Sequence, residues 1–267
     1  MSGASVIVAV SFDGRRSMAA LVDGSFEVLD TVAAIDGASD LATHAGMVER
    51  KLRDARGRGL TVRGLAFALP EGRRWLDLRA AIAGRTNLPA NNERVATAAL
   101  RGERLRGAAE NAGSAVLLDT DGLKLGLLLD RRPYVGVNGK AGDIAHLGID
   151  RTGGVRCACG RTGCLTALLE AGAAAPPPPL PPQFPPAPSR ALGWMTIAAI
   201  SVVNTLNPAV LILQGSVIKE AAIFAWFAAA VRRGCLGPTR AGLVDISQAR
   251  DDSALVGVAA GFAARRP

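Results

Sequence analysis

The feature that most narrows the possible folds of this 267-residue chain is a cysteine-rich segment near its middle. Residues 141–164 contain one of the two histidines and three of the four cysteines, namely His146, Cys157, Cys159 and Cys164. One imidazole and three thiols are the ligands that a closed tetrahedral zinc site requires. A Cys157–Cys159 disulfide would instead close a small, strained ring and leave the other cysteines without near partners. The spacing therefore predicts structural zinc in a loop over residues 143–164.

The composition is typical of a globular protein, with 49% hydrophobic residues and a mean hydropathy of +0.24. The longest apolar run, residues 221–231, is too short to span a bilayer. The N-terminus lacks the pattern of a signal peptide, and a thiol-rich metal loop suits a reducing compartment. We therefore expect a cytoplasmic protein with no membrane partner.

Short apolar runs and helical spacings alternate along the chain, which predicts an α/β fold. The predicted strands cover residues 6–10, 18–22, 61–69, 114–119, 123–130 and 209–213. The predicted helices cover residues 40–56, 75–85, 93–109, 164–174, 190–206, 219–233 and 252–265.

The cysteine segment resembles a family signature in which Gly-acid-x-x-His precedes C-x-C-G-x-x-G-C. This pattern, present here from Gly142 to Cys164, is similar to that of the ROK family of sugar kinases and sugar-responsive transcriptional repressors. Further segments resemble the family in the same order: residues 6–23, 64–72, 87–100, 119–146 and 202–216. The resemblance implies a two-lobed actin-like ATPase (ribonuclease H-like) architecture with the ligand cleft between lobes, and a homo-oligomer.

The same resemblance implies a division of the chain into two lobes, and it bears on whether the chain binds DNA. Residues 1–100 would form the N-terminal lobe, and residues 101–267 would form the C-terminal lobe. Repressors of the family carry a helix-turn-helix domain ahead of the sugar-sensing body, whereas the first predicted strand here begins almost at Met1. The basic residues behind the net charge of +8 are also scattered along the chain. We therefore expect no direct sequence-specific DNA binding.

Phosphoryl transfer to a sugar hydroxyl needs a carboxylate that takes the hydroxyl proton. The family's catalytic acid falls on Arg94, or on Val95 with a one-residue shift, and neither side chain accepts a proton. Glu93 is the nearby carboxylate and the candidate catalytic residue. Its alternative role is that of an acid in the first turn of a helix, stabilised by the helix dipole.

The glycine turns that hold ATP in the family are incomplete in this chain. The remaining candidate nucleotide-binding residues are Gly14, Gly122, Gly126 and Gly215. Ser11 occupies the place of the metal-binding acid, and Asp13 and Asp121 replace turn residues with negative charge. Zinc is therefore the expected cofactor, and ATP with magnesium is not.

The resemblance implies sugar contacts from Asn92, Asp143 and His146, while Thr166 replaces a family glutamate. Asp143 and His146 are three residues apart, so a helical turn would place both on one face. Asp143 could equally be a second-layer acid that holds His146 in place.

These departures favour a non-catalytic ROK-like protein that senses a small-molecule sugar or acts through its surface. One alternative is an ATP-dependent hexose or N-acetylhexosamine kinase that uses Glu93 or Asp13 in a rearranged site. The other alternative is a degenerate paralogue without ligand function.

We expect residues 175–189 to form an exposed, extended connector, because nine prolines occupy positions 176–188.

Replacing 176–188 by a Gly/Ser linker of equal length should leave the metal content and the melting temperature nearly unchanged, since closure entropy varies slowly with chain stiffness. Differential scanning calorimetry and metal analysis of the variant test this. A large fall in melting temperature would mean instead that Leu180 or Phe184 packs into the core.

Overall fold

The computed structural model describes residues 4–13, 16–35, 41–150, 155–171, 189–236 and 245–265. Its strands are β1 (Ser5–Phe12), β2 (Arg16–Asp23), β3 (Val28–Ile35), β4 (Thr61–Leu69), β5 (Ala90–Arg94), β6 (Ala115–Asp119), β7 (Lys124–Leu129), β8 (Arg132–Pro133), β9 (Val210–Gln214) and β10 (Asp245–Gln248). Its helices are α1 (Leu41–Gly57), α2 (Arg73–Thr86), α3 (Val95–Arg106), α4 (Leu165–Ala171), α5 (Arg190–Leu206), α6 (Ala221–Gly234) and α7 (Ser253–Ala264). The predicted α/β class is confirmed.

The chain forms two compact units. Unit 1 comprises residues 1–110 together with 249–267, and unit 2 comprises residues 111–248. The division expected from the sequence, at residue 100, differs from this grouping because α7 returns to the first unit. Among the described helices, none combines the length and apolarity needed to cross a bilayer.

Unit 1 is built on a mixed five-stranded sheet in the order β3-β2-β1-β4-β5. The first three strands are antiparallel neighbours, whereas β4 and β5 run parallel to β1. Alternating buried residues of β1 and β4, such as Val8, Val10 and Phe67, form the core on one face together with α1 and α2. The strands β1 and β4 are buried along most of their length because helices cover both faces.

Helix α7 packs tightly against α3 because two glycines face the neighbouring helix. A Cβ atom at Gly102 would overlap the carbonyl oxygen of Ser253, and one at Gly257 would overlap that of Ala98. Glu103, which is 1% exposed, joins the same two helices with its carboxylate.

The Glu103 carboxylate satisfies donors from both helix ends. One oxygen accepts the backbone N–H of Arg250 at 2.7 Å and the hydroxyl of Ser253, and the other accepts the N–H of Ala108 at 2.9 Å. A buried carboxylate is tolerated only when such donors replace its lost hydration. Glu103 therefore fixes the start of α7 beside the end of α3.

Unit 2 repeats the strand arrangement of unit 1 in the order β8-β7-β6-β9-β10. Here β6, β7 and β8 are antiparallel neighbours, and β9 and β10 run parallel to β6. Its core combines the apolar faces of the sheet with α4, α5 and α6. The β6–β7 hairpin leads into the cysteine-rich loop, which ends where α4 begins.

Most predicted elements are present in the structure within a few residues of the expected bounds. One difference affects the site: the helix predicted from residue 93 begins at Val95, and residues 90–94 form β5 beside β4. Glu93 is thus a strand residue rather than an acid in the first turn of a helix. The strands β3, β8 and β10 were not predicted, and the proline-rich residues 176–188 lie outside the described part of the chain.

The glycine contact predicts a large cost for adding one methyl group to α7. Gly257→Ala should lower the free energy of unfolding by about 1–3 kcal/mol or more, because the added carbon forces α3 and α7 apart. Gly84→Ala in α2 is the matched control, since its Cβ would meet no atom within 4 Å. The control should be neutral or more stable by up to about 1 kcal/mol. Urea denaturation of both variants measures the contrast, which equal effects would contradict.

Candidate functional site

The four predicted metal ligands lie together in unit 2. The ligand atoms of His146, Cys157, Cys159 and Cys164 are all within 4.8 Å of one another. Cys157 Sγ is 3.4 Å from His146 Nδ1, and Cys159 Sγ is 3.6 Å from Cys164 Sγ. Tetrahedral zinc with bonds of about 2.0–2.3 Å spaces its ligand atoms by about 3.5–3.8 Å. The donor set and its spacing therefore fit a tetrahedral metal ion, as the sequence predicted.

Backbone hydrogen bonds shape the loop around these ligands. The N–H of Cys157 donates to the carbonyl oxygen of Arg161 at 2.8 Å, and the N–H of Gly160 donates back to Cys157 at 2.9 Å. The N–H of Leu165 and that of Thr166 donate to residues 147 and 145, which attaches the start of α4 to the segment that carries His146. The cluster therefore has a rigid frame formed by local turns.

The thiols of the loop differ in acidity when no metal is bound. The backbone N–H of Arg161, followed by its guanidinium, lowers the pKa of Cys159 to about 6. Burial raises the pKa of Cys164 to about 11. Metal binding, which requires thiolates, therefore displaces a proton more readily from Cys159 than from Cys164.

Asp143, a candidate sugar ligand, is held by groups other than His146. Its Oδ2 lies 2.7 Å from Lys124 Nζ, and its Oδ1 accepts the backbone N–H of Ala145 at 3.2 Å. Burial acts to raise the pKa of Asp143, but Lys124 and the Ala145 N–H outweigh it and hold that pKa below its usual value. Residues 141–147 form turns rather than the helical turn that the spacing suggested.

Lys124 reaches Asp143 because the start of the metal loop pairs with β7. The N–H of Leu125 donates to the carbonyl oxygen of Gly142 at 2.7 Å, and residues 124 and 143 form an antiparallel bridge. Lys124 was not among the candidate residues that the sequence indicated. Its pairing with Asp143 requires the fold to bring the two segments together.

Glu93, the candidate base, is engaged by an arginine in unit 1. Arg101 on α3 approaches both carboxylate oxygens, with Nη2 at 2.8 Å from Oε1 and Nε at 3.3 Å from Oε2. The Glu93 side chain is 9% exposed. Arg101 therefore occupies acceptor positions on both oxygens of the Glu93 carboxylate.

The position that resembles the family's catalytic acid is also paired. Arg94 Nη1 lies 3.5 Å from Oε1 of Glu71, and both side chains are largely buried. Glu71 follows Pro70, just after the end of β4. The pair therefore combines an arginine with a carboxylate at the neighbouring ends of β5 and β4.

Asn92, the third candidate sugar ligand, accepts a hydrogen bond from Arg79 on α2 through Oδ1 at 3.1 Å. Asn92 and Glu93 belong to unit 1, whereas Asp143 and His146 belong to unit 2. The two candidate residues of each unit are close in sequence. An arginine or lysine side chain contacts three of these four residues, namely Asn92, Glu93 and Asp143.

The candidate nucleotide glycines are divided among three places. Gly122 ends a turn in which Asp119 Oδ1 accepts its N–H at 3.2 Å, and Gly126 lies within β7. Gly215 has φ of 134°, and a Cβ there would overlap the hydroxyl of Thr120. Gly14 lies outside the described residues.

A carboxylate of the chain itself occupies the donors that follow Gly215. Asp121 accepts the backbone N–H of Ser216 at 2.8 Å and its hydroxyl at 2.9 Å. These bonds join the turn after β6 to the turn after β9. An acid in this place is unfavourable for a nearby phosphate because two anions would compete for the same donors.

Comparisons with known proteins agree with this arrangement. The sequence model of the ROK family matches residues 66–175, which include β5, the β6–β7 hairpin and the cysteine-rich loop. A xylose repressor from Bacillus subtilis is 33% identical over 90 residues, covering 33% of this chain and 23% of the repressor. A glucokinase from Halalkalibacterium halodurans is 36% identical over 87 residues, covering 32% of this chain and 26% of that enzyme.

Solved structures extend the similarity to the whole fold. A ROK hexokinase from Thermus thermophilus superimposes with a TM-score of 0.67 at 22% identity, covering 95% of this chain and 96% of that chain. The chain therefore has an α/β fold similar to that of ROK proteins, and its residues 66–175 match the sequence model of the ROK family. It spans about a quarter of the length of the curated relatives it matches.

Proposed function

We propose that this protein is a non-catalytic ROK-family member that binds a sugar and acts as a sensor or regulator. The observation that carries the proposal is the pairing of Glu93 with Arg101, because Glu93 is the nearest acid to the expected base position. With Arg94 at that position, the described residues offer no free carboxylate there to accept the sugar hydroxyl proton.

The distribution of the family match supports loss of the nucleotide site. The first hairpin, residues 5–23, and the turn after β9 both lie outside the matched residues 66–175. These are the segments that resemble the family's first phosphate turn and its adenosine turn. Within the match, Asp121 takes the donors of Ser216. These features of the described residues support a protein that does not use ATP and magnesium.

Sugar binding is supported by the retained loop and by the relatives. The matched residues include Asn92, Asp143 and His146, and the relatives include a xylose repressor and a glucokinase. Asp143 still has 28% of its side chain exposed beside Lys124, so its carboxylate can accept a further hydrogen bond. We further propose that the protein is a homo-oligomer and that it is cytoplasmic. These two proposals follow from the family resemblance and from the composition.

We expect saturable binding of a sugar without ATP turnover. Calorimetric titration with a panel of hexoses and N-acetylhexosamines should identify a ligand, and Asp143→Asn should weaken its binding. An ADP-release assay with the same panel should give a rate about a hundred- to ten-thousand-fold below that of a sugar kinase with an intact base.

Two results of these measurements, one from the ADP-release assay and one from the titration, would contradict the proposal. Robust ADP release that Glu93→Gln abolishes would identify the alternative, a sugar kinase with a rearranged site, which the glucokinase relative favours. No binding of any sugar by folded protein would identify a degenerate paralogue instead.

We also propose that the ion held by His146, Cys157, Cys159 and Cys164 is zinc, whose preference for thiolate and imidazole matches this donor set. Its role is structural, because four protein ligands leave no open position for water or substrate. Zinc bound in this way contributes to folding stability.

Metal analysis of freshly purified protein should therefore give about one zinc ion per chain. Cys164→Ser should lose the zinc and lower the melting temperature, because three ligands hold the ion less tightly than four. Cys235→Ser is the control, since Cys235 is a buried cysteine outside the cluster and its replacement should retain the zinc. A stoichiometry near zero in unchelated wild-type protein would refute the zinc assignment.

A further inference from the structure

The three sulfur atoms of the metal cluster differ in their access to solvent. Cys157 is 7% exposed and Cys164 is 1% exposed, whereas Cys159 lies at the surface and is exposed. A small reagent in solution therefore reaches the cluster first at Cys159 Sγ. None of these cysteines is in a disulfide, so each sulfur is available as a metal ligand or a nucleophile.

Cys159 has a suitable sulfur partner beside it. Its Sγ lies 3.6 Å from that of Cys164, and the two residues are separated by four others, including Gly160 and Gly163. Both glycines have positive φ values, 86° and 73°, and form the tight turn that brings the two cysteines together. A bridge from Cys159 to Cys157 would close a much smaller and more strained ring.

We propose that Cys159 is an oxidation site, and that a peroxide joins Cys159 to Cys164 in a disulfide with loss of the bound metal ion. The proposal goes beyond the sugar-binding function and depends only on the cluster. It rests on the exposure of Cys159 and on the short distance between the two sulfur atoms.

The chemistry balances with hydrogen peroxide as the oxidant. The Cys159 sulfur attacks one peroxide oxygen, the O–O bond breaks, and the second oxygen leaves as hydroxide, which produces a sulfenic acid. The Cys164 thiolate then attacks the sulfenic sulfur, the S–S bond forms, and the sulfenic oxygen leaves as a second hydroxide. The two sulfur atoms lose two electrons in total, and the peroxide gains them.

Arg161 lies where it favours the first step. Its guanidinium donates a hydrogen bond to Cys159 Sγ, so a positive charge stands next to the sulfur that attacks the peroxide, where hydroxide is released. The Cys157 sulfur instead lies 3.4 Å from His146 Nδ1.

The disulfide would remove two ligands and leave His146 with Cys157, too few for a closed tetrahedral site. Cys157, Cys164 and Ala167 form a small buried cluster at the start of α4. Loss of the metal therefore loosens the attachment of α4 to the loop, and oxidation is expected to change the stability of this part of unit 2.

The test uses the zinc-loaded full-length chain. Hydrogen peroxide is titrated while a chromogenic chelator reports released zinc, a thiol reagent counts free cysteines, and peptide mass mapping locates disulfides. We expect one zinc ion per chain to be released as the thiol count falls from four to two, with a Cys159–Cys164 disulfide. A dithiol reductant with added zinc should restore the starting state.

Two matched variants separate this route from general oxidation. Cys159→His keeps a zinc ligand but removes the reactive thiol, so it should retain zinc at a peroxide concentration that empties the wild type. Cys157→His keeps the reactive pair and should release zinc as the wild type does.

The wild-type peptide map decides the outcome even if a variant fails to fold. Zinc release without the Cys159–Cys164 disulfide would overturn the proposal, as would retention of zinc after that disulfide forms. Absence of zinc from the untreated protein would also overturn it, and this result would leave the sugar-binding proposal untouched.

Discussion

The contact between α3 and α7 is the constraint on which unit 1 depends. Gly102 and Gly257 allow the two helix backbones to touch, and Glu103 supplies the acceptor for three donors at the junction. Helix α7 in turn covers strands β1, β2, β4 and β5, with the Phe262 ring lying over Gly64. The sheet that presents Asn92 and Glu93 is therefore covered by the last helix of the chain.

The acids around the candidate sites form ion pairs or hydrogen bonds with donors of the same unit. The pairs are Glu93 with Arg101, Glu71 with Arg94, Asp143 with Lys124, and Asp121 with Ser216. Each of these pairings occupies acceptor positions on the carboxylate. These local pairings give a physical reason for expecting binding without phosphoryl transfer, because proton abstraction needs an unpaired acceptor.

The sequence indicated the candidate metal cluster well and its neighbours less well. Three thiols and an imidazole within 24 residues have few other uses, so local spacing was sufficient to single out His146 and its three cysteine partners, whose ligand atoms the structure brings together. Glu93 was harder, because its assignment to a helix or a strand depends on the parallel pairing of β5 with β4. The same is true of Lys124, whose role depends on the metal loop lying against β7. Tertiary pairing, which a local pattern does not contain, decided both cases.

The return of α7 to unit 1 also affects the order in which the protein can fold during synthesis. Unit 2 is continuous in sequence, so all of its strands have been made before the ribosome reaches α7. Unit 1, although its strands precede unit 2 in the sequence, lacks the helix that covers them until residues 253–264 have been made. Unit 1 is therefore begun before unit 2 and completed after it, and β1 and β4 keep an uncovered apolar face in the interval, when aggregation and chaperone binding compete with folding.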